Sequence, residues 1–132
     1  MKYLLDVNAL VAFGHADHQF YVRVANWAAE LTKSEIPNFA TSPITELGFV
    51  RVMSQAYGVS ISQAQDLLLG FKESREYRFE FFADDHDASR IPRWVTGAKQ
   101  TTDGHLLELA KAHACILATL DARIPGAFVI PE

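Results

Sequence analysis

Four carboxylates in this 132-residue chain stand where acid side chains could do chemistry: Asp6, Glu46, Asp103 and Asp121. Asp6 interrupts the apolar run Tyr3-Leu4-Leu5-Asp6-Val7-Asn8-Ala9-Leu10-Val11. An ionised carboxylate in such a run costs on the order of a few kcal/mol unless donors or a cation compensate it. Asn8, two residues on, could cap a helix beginning at Ala9-Leu10-Val11. Glu46 lies in the first turn of a helix that Ser42-Pro43 announces, with Ser42 as N-cap and Pro43 at the first helical position. The helix dipole favours a carboxylate there, and Asp103 could equally be an N-cap. Asp121 stands just past the apolar strand Cys115-Ile116-Leu117-Ala118-Thr119. Each acid has an ordinary structural explanation by itself. Brought together, four carboxylates repel unless a cation joins them. A hard divalent ion with oxygen ligands, Mg²⁺ or Mn²⁺, suits such a set and acts mainly on phosphoryl groups.

The elements that must carry these acids alternate along the chain. Tyr3–Leu5 reads as a buried strand. Tyr21, Val24, Trp27 and Leu31 recur at helical spacing, with Asp17 as a candidate N-cap. Ile36 to Thr41 is a short strand broken by Pro37, and the helix after Ser42 runs to Gly58. Ser60-Ile61-Ser62-Gln63 forms a capping box for a further helix through Phe71. Tyr77 to Phe81 alternates as a half-exposed strand, and Ser89 to Lys99 reads as a loop. Thr101 opens a helix buried at Leu106, Leu109 and Ala114, followed by the Cys115–Thr119 strand and a last strand, Ala127–Ile130. Alternating strands and helices predict an α/β chain with a mostly parallel sheet of four or five strands and helices on both faces. Such sheets bind ligands beyond the carboxyl ends of their strands, near which Asp6 and Asp121 fall. The Tyr3–Leu5 and Cys115–Thr119 strands should both be central.

Composition narrows the class. The length fits one domain, residues 1–132, and 49 % apolar residues predict a packed core. A lone cysteine, Cys115, permits no internal disulfide and fits a reducing compartment. No apolar run reaches the roughly 18 residues a membrane span needs, and no signal-like leader is visible, so a cytoplasmic protein is expected. The formal charge is −4, with no basic arm, which argues against binding nucleic acid by phosphate neutralisation alone. His15 and His18 read as solvated loop histidines, and Asp84-Asp85-His86-Asp87 as a solvated acidic loop lacking the glycine of a calcium site.

Taken in order, Leu5-Asp6-Val7-Asn8-Ala9-Leu10, Thr45-Glu46-Leu47, Thr102-Asp103-Gly104-His105-Leu106-Leu107 and Ala118-Thr119-Leu120-Asp121 resemble the motifs of PIN-domain nucleases, and most of all the VapC toxins of bacterial toxin–antitoxin pairs. The resemblance spans essentially the whole chain. It implies a PIN-like three-layer α/β/α sandwich that cleaves RNA with one or two metal ions, Mg²⁺ or Mn²⁺, held by Asp6, Glu46, Asp103 and Asp121. It implies products with 3′-hydroxyl and 5′-phosphate ends, and places Asn8 and Thr119 as polar groups that orient the acids or bound waters. A homodimer, and a cognate antitoxin that occupies the site with a basic side chain, are further implications. Gly104 departs from the alanine common in that family. A HAD-type phosphatase would need a second aspartate where Asn8 stands, and a receiver domain a late lysine where the Asp121 region offers Arg123. A non-catalytic binding module of the same fold, or another Mg-dependent phosphoryl hydrolase, is the alternative reading.

Overall fold

The computed structural model describes residues 1–132. Its first strand, β1 (Lys2–Leu5), leads directly into helix α1 (Val7–Gly14), and α2 (Tyr21–Thr32) follows after a turn. Strand β2 (Asn38–Thr41) precedes the helical hairpin α3 (Pro43–Tyr57) and α4 (Ile61–Lys72). After β3 (Arg78–Phe81), a long connection with 3₁₀ turns at Ala88–Arg90 and Ala98–Gln100 reaches α5 (Thr101–Ala112). Strands β4 (Ile116–Thr119) and β5 (Phe128–Val129) complete the sheet.

The five strands lie in the order β3-β2-β1-β4-β5, every pair parallel. Both strands expected to be central are flanked on each side, and the five-stranded parallel sheet with helices on both faces is the predicted three-layer architecture. Because β1, β2 and β3 are laid down in one direction and β4 then returns to the other side of β1, the chain reverses between β1 and β4. Two connections diverging from one point leave a crevice at the carboxyl ends of those strands. Asp6 and Asp121 flank that crevice.

Alternation along the strands sends side chains to two separate cores. Tyr3, Leu5, Phe39 and Ala118 pack toward α1–α4 with Leu10, Val24, Trp27, Phe49 and Met53. Leu4, Ala40 and Leu117 pack on the opposite face against Leu106, Leu109 and Ala110 of α5, with Phe82 and Ile124. Leu4 and Leu5 are fully buried, each worth about 2 kcal/mol of apolar transfer. This two-sided cover is why β1 reads as an unbroken apolar run.

Local chemistry sets the helix ends, and here several expectations need correction. The N-cap of α1 is Asp6, whose Oδ1 accepts the Ala9 N–H at 2.8 Å, so Asn8 is inside the helix and does not cap it. Asp17 caps nothing, because α2 starts at Tyr21 without a side-chain cap. Asp103 is the third residue of α5, and that helix too lacks a side-chain cap. Ser42 caps α3 as expected, and its partner in the capping box is Thr45 instead of a glutamate. The Ser60–Gln63 capping box forms as read. Helix α5 ends at Ala112, two residues early, where Ala114 takes a positive φ of 51° and turns the chain into β4. The acidic loop is only partly solvated: Asp84 accepts a hydrogen bond from His105 of α5, and Asp84 Oδ1 takes the His86 N–H, which ties the long connection to the helix carrying Asp103.

Candidate active site

Asp6 reaches the crevice because β1 ends one residue before it. Its backbone N–H still donates to Ala118 O of β4 at 3.1 Å, and its backbone is extended (ψ 174°) while Val7 begins the helix. The side chain is thereby held at the sheet's rim and is only 5 % exposed. Burial pushes its pKa up to about 6, and the charges of Asp103 and Asp121 add to the rise. The Thr119 hydroxyl and the Ala9 N–H oppose it by favouring the ionised form.

Asp103 projects from the first turn of α5 and is half-buried. Burial raises its pKa, then the Asp121 charge, while Arg123 pulls the other way. Asp121 follows β4, its backbone N–H donating to Thr119 Oγ1 at 2.9 Å. Its carboxylate receives the Arg123 guanidinium in a fork, Nε to Oδ1 at 2.9 Å and Nη2 to Oδ2 at 3.0 Å, together with the Arg123 backbone N–H. Those bonds hold its pKa below the usual carboxylate range. Asp6, Asn8, Asp103, Thr119 and Asp121 line one cavity of about 330 Å³, with Arg51 of α3 on the same wall.

Glu46 is not among that cavity's lining residues. Its Oε2 accepts from Thr41 Oγ1 and from Lys72 Nζ, each at 2.6 Å. The hairpin of α3 and α4 brings the start of one helix beside the end of the other, which is how Lys72 meets Glu46. The structure therefore gathers three of the four acids and turns the fourth to the crevice's edge. As the side chains stand, no three acidic, histidine or cysteine groups close on a single point. The donor set nonetheless fits a hard divalent cation: it is all oxygen, it includes a buried carboxylate carrying a raised pKa, and its acids repel one another.

Sequence reasoning overlooked two cations near this rim, Arg51 and Lys72, and did not foresee that Arg123 would pair with Asp121. Arg123 was visible as the second residue after Asp121, a spacing at which one side chain can fold back on the other. Lys72 had no sequence signal, since its neighbour is 26 positions away. His18, read as a solvated loop residue, reaches Asn8 Oδ1 with its Nε2 at 3.2 Å. A larger cavity, about 920 Å³, opens between Phe13, Met53, Phe71 and Tyr77. It shares no lining residue with the acid crevice and holds Asp66 as its one carboxylate, so it lacks the chemistry that the acids supply.

A family model described as PIN domain matches residues 3–127. The chain belongs to the PIN-domain family. Among PIN-domain relatives of the VapC kind, it is 35 % identical over 135 residues to Ribonuclease VapC38 of Mycobacterium tuberculosis, which covers 98 % of this chain and 89 % of that protein. It is 36 % identical over 137 residues to Ribonuclease VapC44 of the same species, covering 96 % and 94 %. The fold is shared with VapBC2 from Rickettsia felis, solved bound to a DNA fragment from its promoter, at a TM-score of 0.64, 20 % identity and coverage of 97 % and 96 %. DNA-bound VapBC from Salmonella typhimurium matches at a TM-score of 0.62, 17 % identity and the same coverage.

Proposed function

We propose that this PIN-domain chain is a divalent-metal-dependent endoribonuclease and the toxin of a toxin–antitoxin pair. The observation that carries the reading is Asp6: a carboxylate buried at the reversal point of the sheet, its pKa pushed up to about 6, with Asp103 and Asp121 lining the same cavity. A fold that forces like charges together at a ligand-binding rim, without burying a cation among them, is suited to receive one. The names of the relatives, Ribonuclease VapC38 and Ribonuclease VapC44, agree with RNA as the substrate.

In this reading Asp6, Asp103 and Asp121 would hold Mg²⁺ or Mn²⁺, and Glu46, now paired with Lys72, would be the fourth carboxylate available to the ion. When bound, the ion supplies a Lewis acid that polarises the phosphodiester and makes water a stronger acid. Thr119 ties two of the acids together, its Oγ1 accepting the Asp121 N–H while its hydroxyl favours ionised Asp6. Arg51, with no carboxylate partner of its own, offers the crevice a guanidinium for an RNA phosphate. The partner is a cognate antitoxin whose basic segment suits the acidic cavity. A homodimer belongs to the same reading, covering exposed Leu47 and Ile61 on α3 and α4. No helix is long and apolar enough to cross a membrane.

The test is cleavage of single-stranded RNA with MgCl₂, MnCl₂ or EDTA. Metal-dependent internal cleavage leaving 5′-phosphate ends, abolished in Asp103→Asn, is expected. Absence of cleavage with either metal, or cleavage undiminished in EDTA, overturns the proposal. The second reading, a PIN-like binding module without catalysis, draws on the Glu46–Lys72 pair, which keeps one acid from the crevice. That reading predicts no effect of divalent metal on the melting temperature.

A further inference from the structure

Asn8 is the one carboxamide on the wall of the acid crevice, and what it can bind depends on which end of the amide faces inward. His18, in the turn between α1 and α2, decides this. The backbone N–H of Phe20 donates to His18 Nδ1 at 3.0 Å, so Nδ1 holds a lone pair and no proton. In a neutral imidazole the proton then sits on Nε2. Nε2 lies 3.2 Å from Asn8 Oδ1 and donates to it. Burial, then the neighbouring His15, holds the His18 pKa below its ordinary value, which keeps the ring neutral. The ring is set among aromatic neighbours, with its centroid 5.9 Å from that of Phe20 and 6.5 Å from that of Tyr57.

With Oδ1 engaged by His18, the end of the exposed Asn8 side chain left to serve the crevice it lines is its N–H pair. An amide nitrogen does not ligate a hard cation, which takes oxygen, but it donates well to an anionic oxygen. We propose that Asn8 donates to a non-bridging phosphate oxygen of the RNA, and that His18 is the positioning residue that fixes the Asn8 amide in this orientation. The identity of the anion rests on the ribonuclease reading; the orientation of the amide does not.

Two measurements test the pair. Long-range ¹H–¹⁵N spectra of the metal-free protein should show His18 as the Nε2–H tautomer, and an Nδ1–H tautomer overturns the proposal. Binding of a fluorescent single-stranded RNA in EDTA then reads the contact without catalysis. Asn8→Ala should weaken binding about tenfold, the scale of one hydrogen bond to a charged group. His18→Ala should weaken it several-fold, and the double variant should bind no worse than Asn8→Ala. His18→Gln, whose amide can donate to Asn8 Oδ1 without titrating, should recover most of the His18→Ala loss. Unchanged affinity in Asn8→Ala, or losses that multiply in the double variant, overturns it. Cleavage is scored separately: its absence in the wild type fails the ribonuclease reading, whereas the RNA affinities decide this one.

Discussion

Replacing Asp6 by asparagine keeps the shape of the side chain and removes its charge, so it isolates the electrostatic cost of the crevice. The Asp6 pKa rises from 3.8 to about 6 on folding. At 1.36 kcal/mol per unit, this amounts to about 3 kcal/mol spent on the ionised form. The sign follows from proton counting. Between the unfolded and folded pKa values the folded protein binds more protons, so the stability of the metal-free wild type falls as pH rises from about 4 to about 6, then levels off. The asparagine Oδ1 can still accept the Ala9 N–H and keep the cap. Its Nδ2 turns Thr119 from donor to acceptor, although Thr119 Oγ1 already accepts the Asp121 N–H, at a cost of about 1 kcal/mol. Asp6→Asn should therefore be more stable than the wild type by about 2 kcal/mol at pH 8, and slightly less stable at pH 4, where the native carboxyl is already neutral in the fold. For a chain of this length that is about 8 °C in melting temperature at pH 8. The assay is thermal melting of both proteins in EDTA from pH 4 to 8. A difference that does not change with pH, or a variant less stable at pH 8, refutes the reasoning.

Three further outcomes follow from the same geometry. MgCl₂ should raise the wild-type melting temperature by binding the folded crevice alone, and barely move Asp6→Asn, as paired melting curves will show. Gly104→Ala places a Cβ 2.4 Å from Val95 Cγ2 and 3.1 Å from Pro92 Cδ, so the connection packed over α5 must shift; the overpacking cost of about 1–3 kcal/mol should exceed the gain in helix propensity of about 1 kcal/mol, giving a net loss by denaturant unfolding. Arg123→Ala removes the fork on Asp121, so NMR titration should find the Asp121 pKa moved up toward the ordinary range and that of Asp103 raised further.

The architecture was legible in the sequence because its determinants are local or periodic. The unbroken apolar character of β1 announces a strand covered on both faces, and Ser42-Pro43 and Ser60…Gln63 announce helix starts by chemistry confined to four residues. The rim positions of Asp6 and Asp121 followed from strand ends. Helix starts set by packing alone were not legible. Helix α2 begins after Phe20 with no side-chain cap, so the plausible capping residue Asp17 misled. The need of Asp6 for backbone donors followed from its place in an apolar run, and the start of α1 supplies them; what misled was Asn8, a good capping residue by type that lies inside the helix. Side-chain partners across long separations were invisible for a different reason: the Lys72–Glu46 and His105–Asp84 pairs depend on how a helical hairpin and a long connection dock, which no spacing encodes.

Those partners fall into a pattern around the crevice. Asp121 holds Arg123 and Glu46 holds Lys72, each through short ionic hydrogen bonds, whereas Asp6 and Asp103 have raised pKa values. Each paired acid already has a cation to give up to an entering ion: Arg123 is largely solvated, so that exchange costs little, while the Lys72–Glu46 pair is part-buried. Asp6 has no such exchange to make: it is the deepest of the acids, and relief of its burial must come from the entering ion. The free energy of metal binding should therefore be concentrated on Asp6, with Asp121 and Glu46 adding less than their charge alone would suggest. In calorimetric titrations with Mn²⁺, Asp6→Asn should lose more affinity than Glu46→Gln, and an equal loss in the two variants would contradict this ordering.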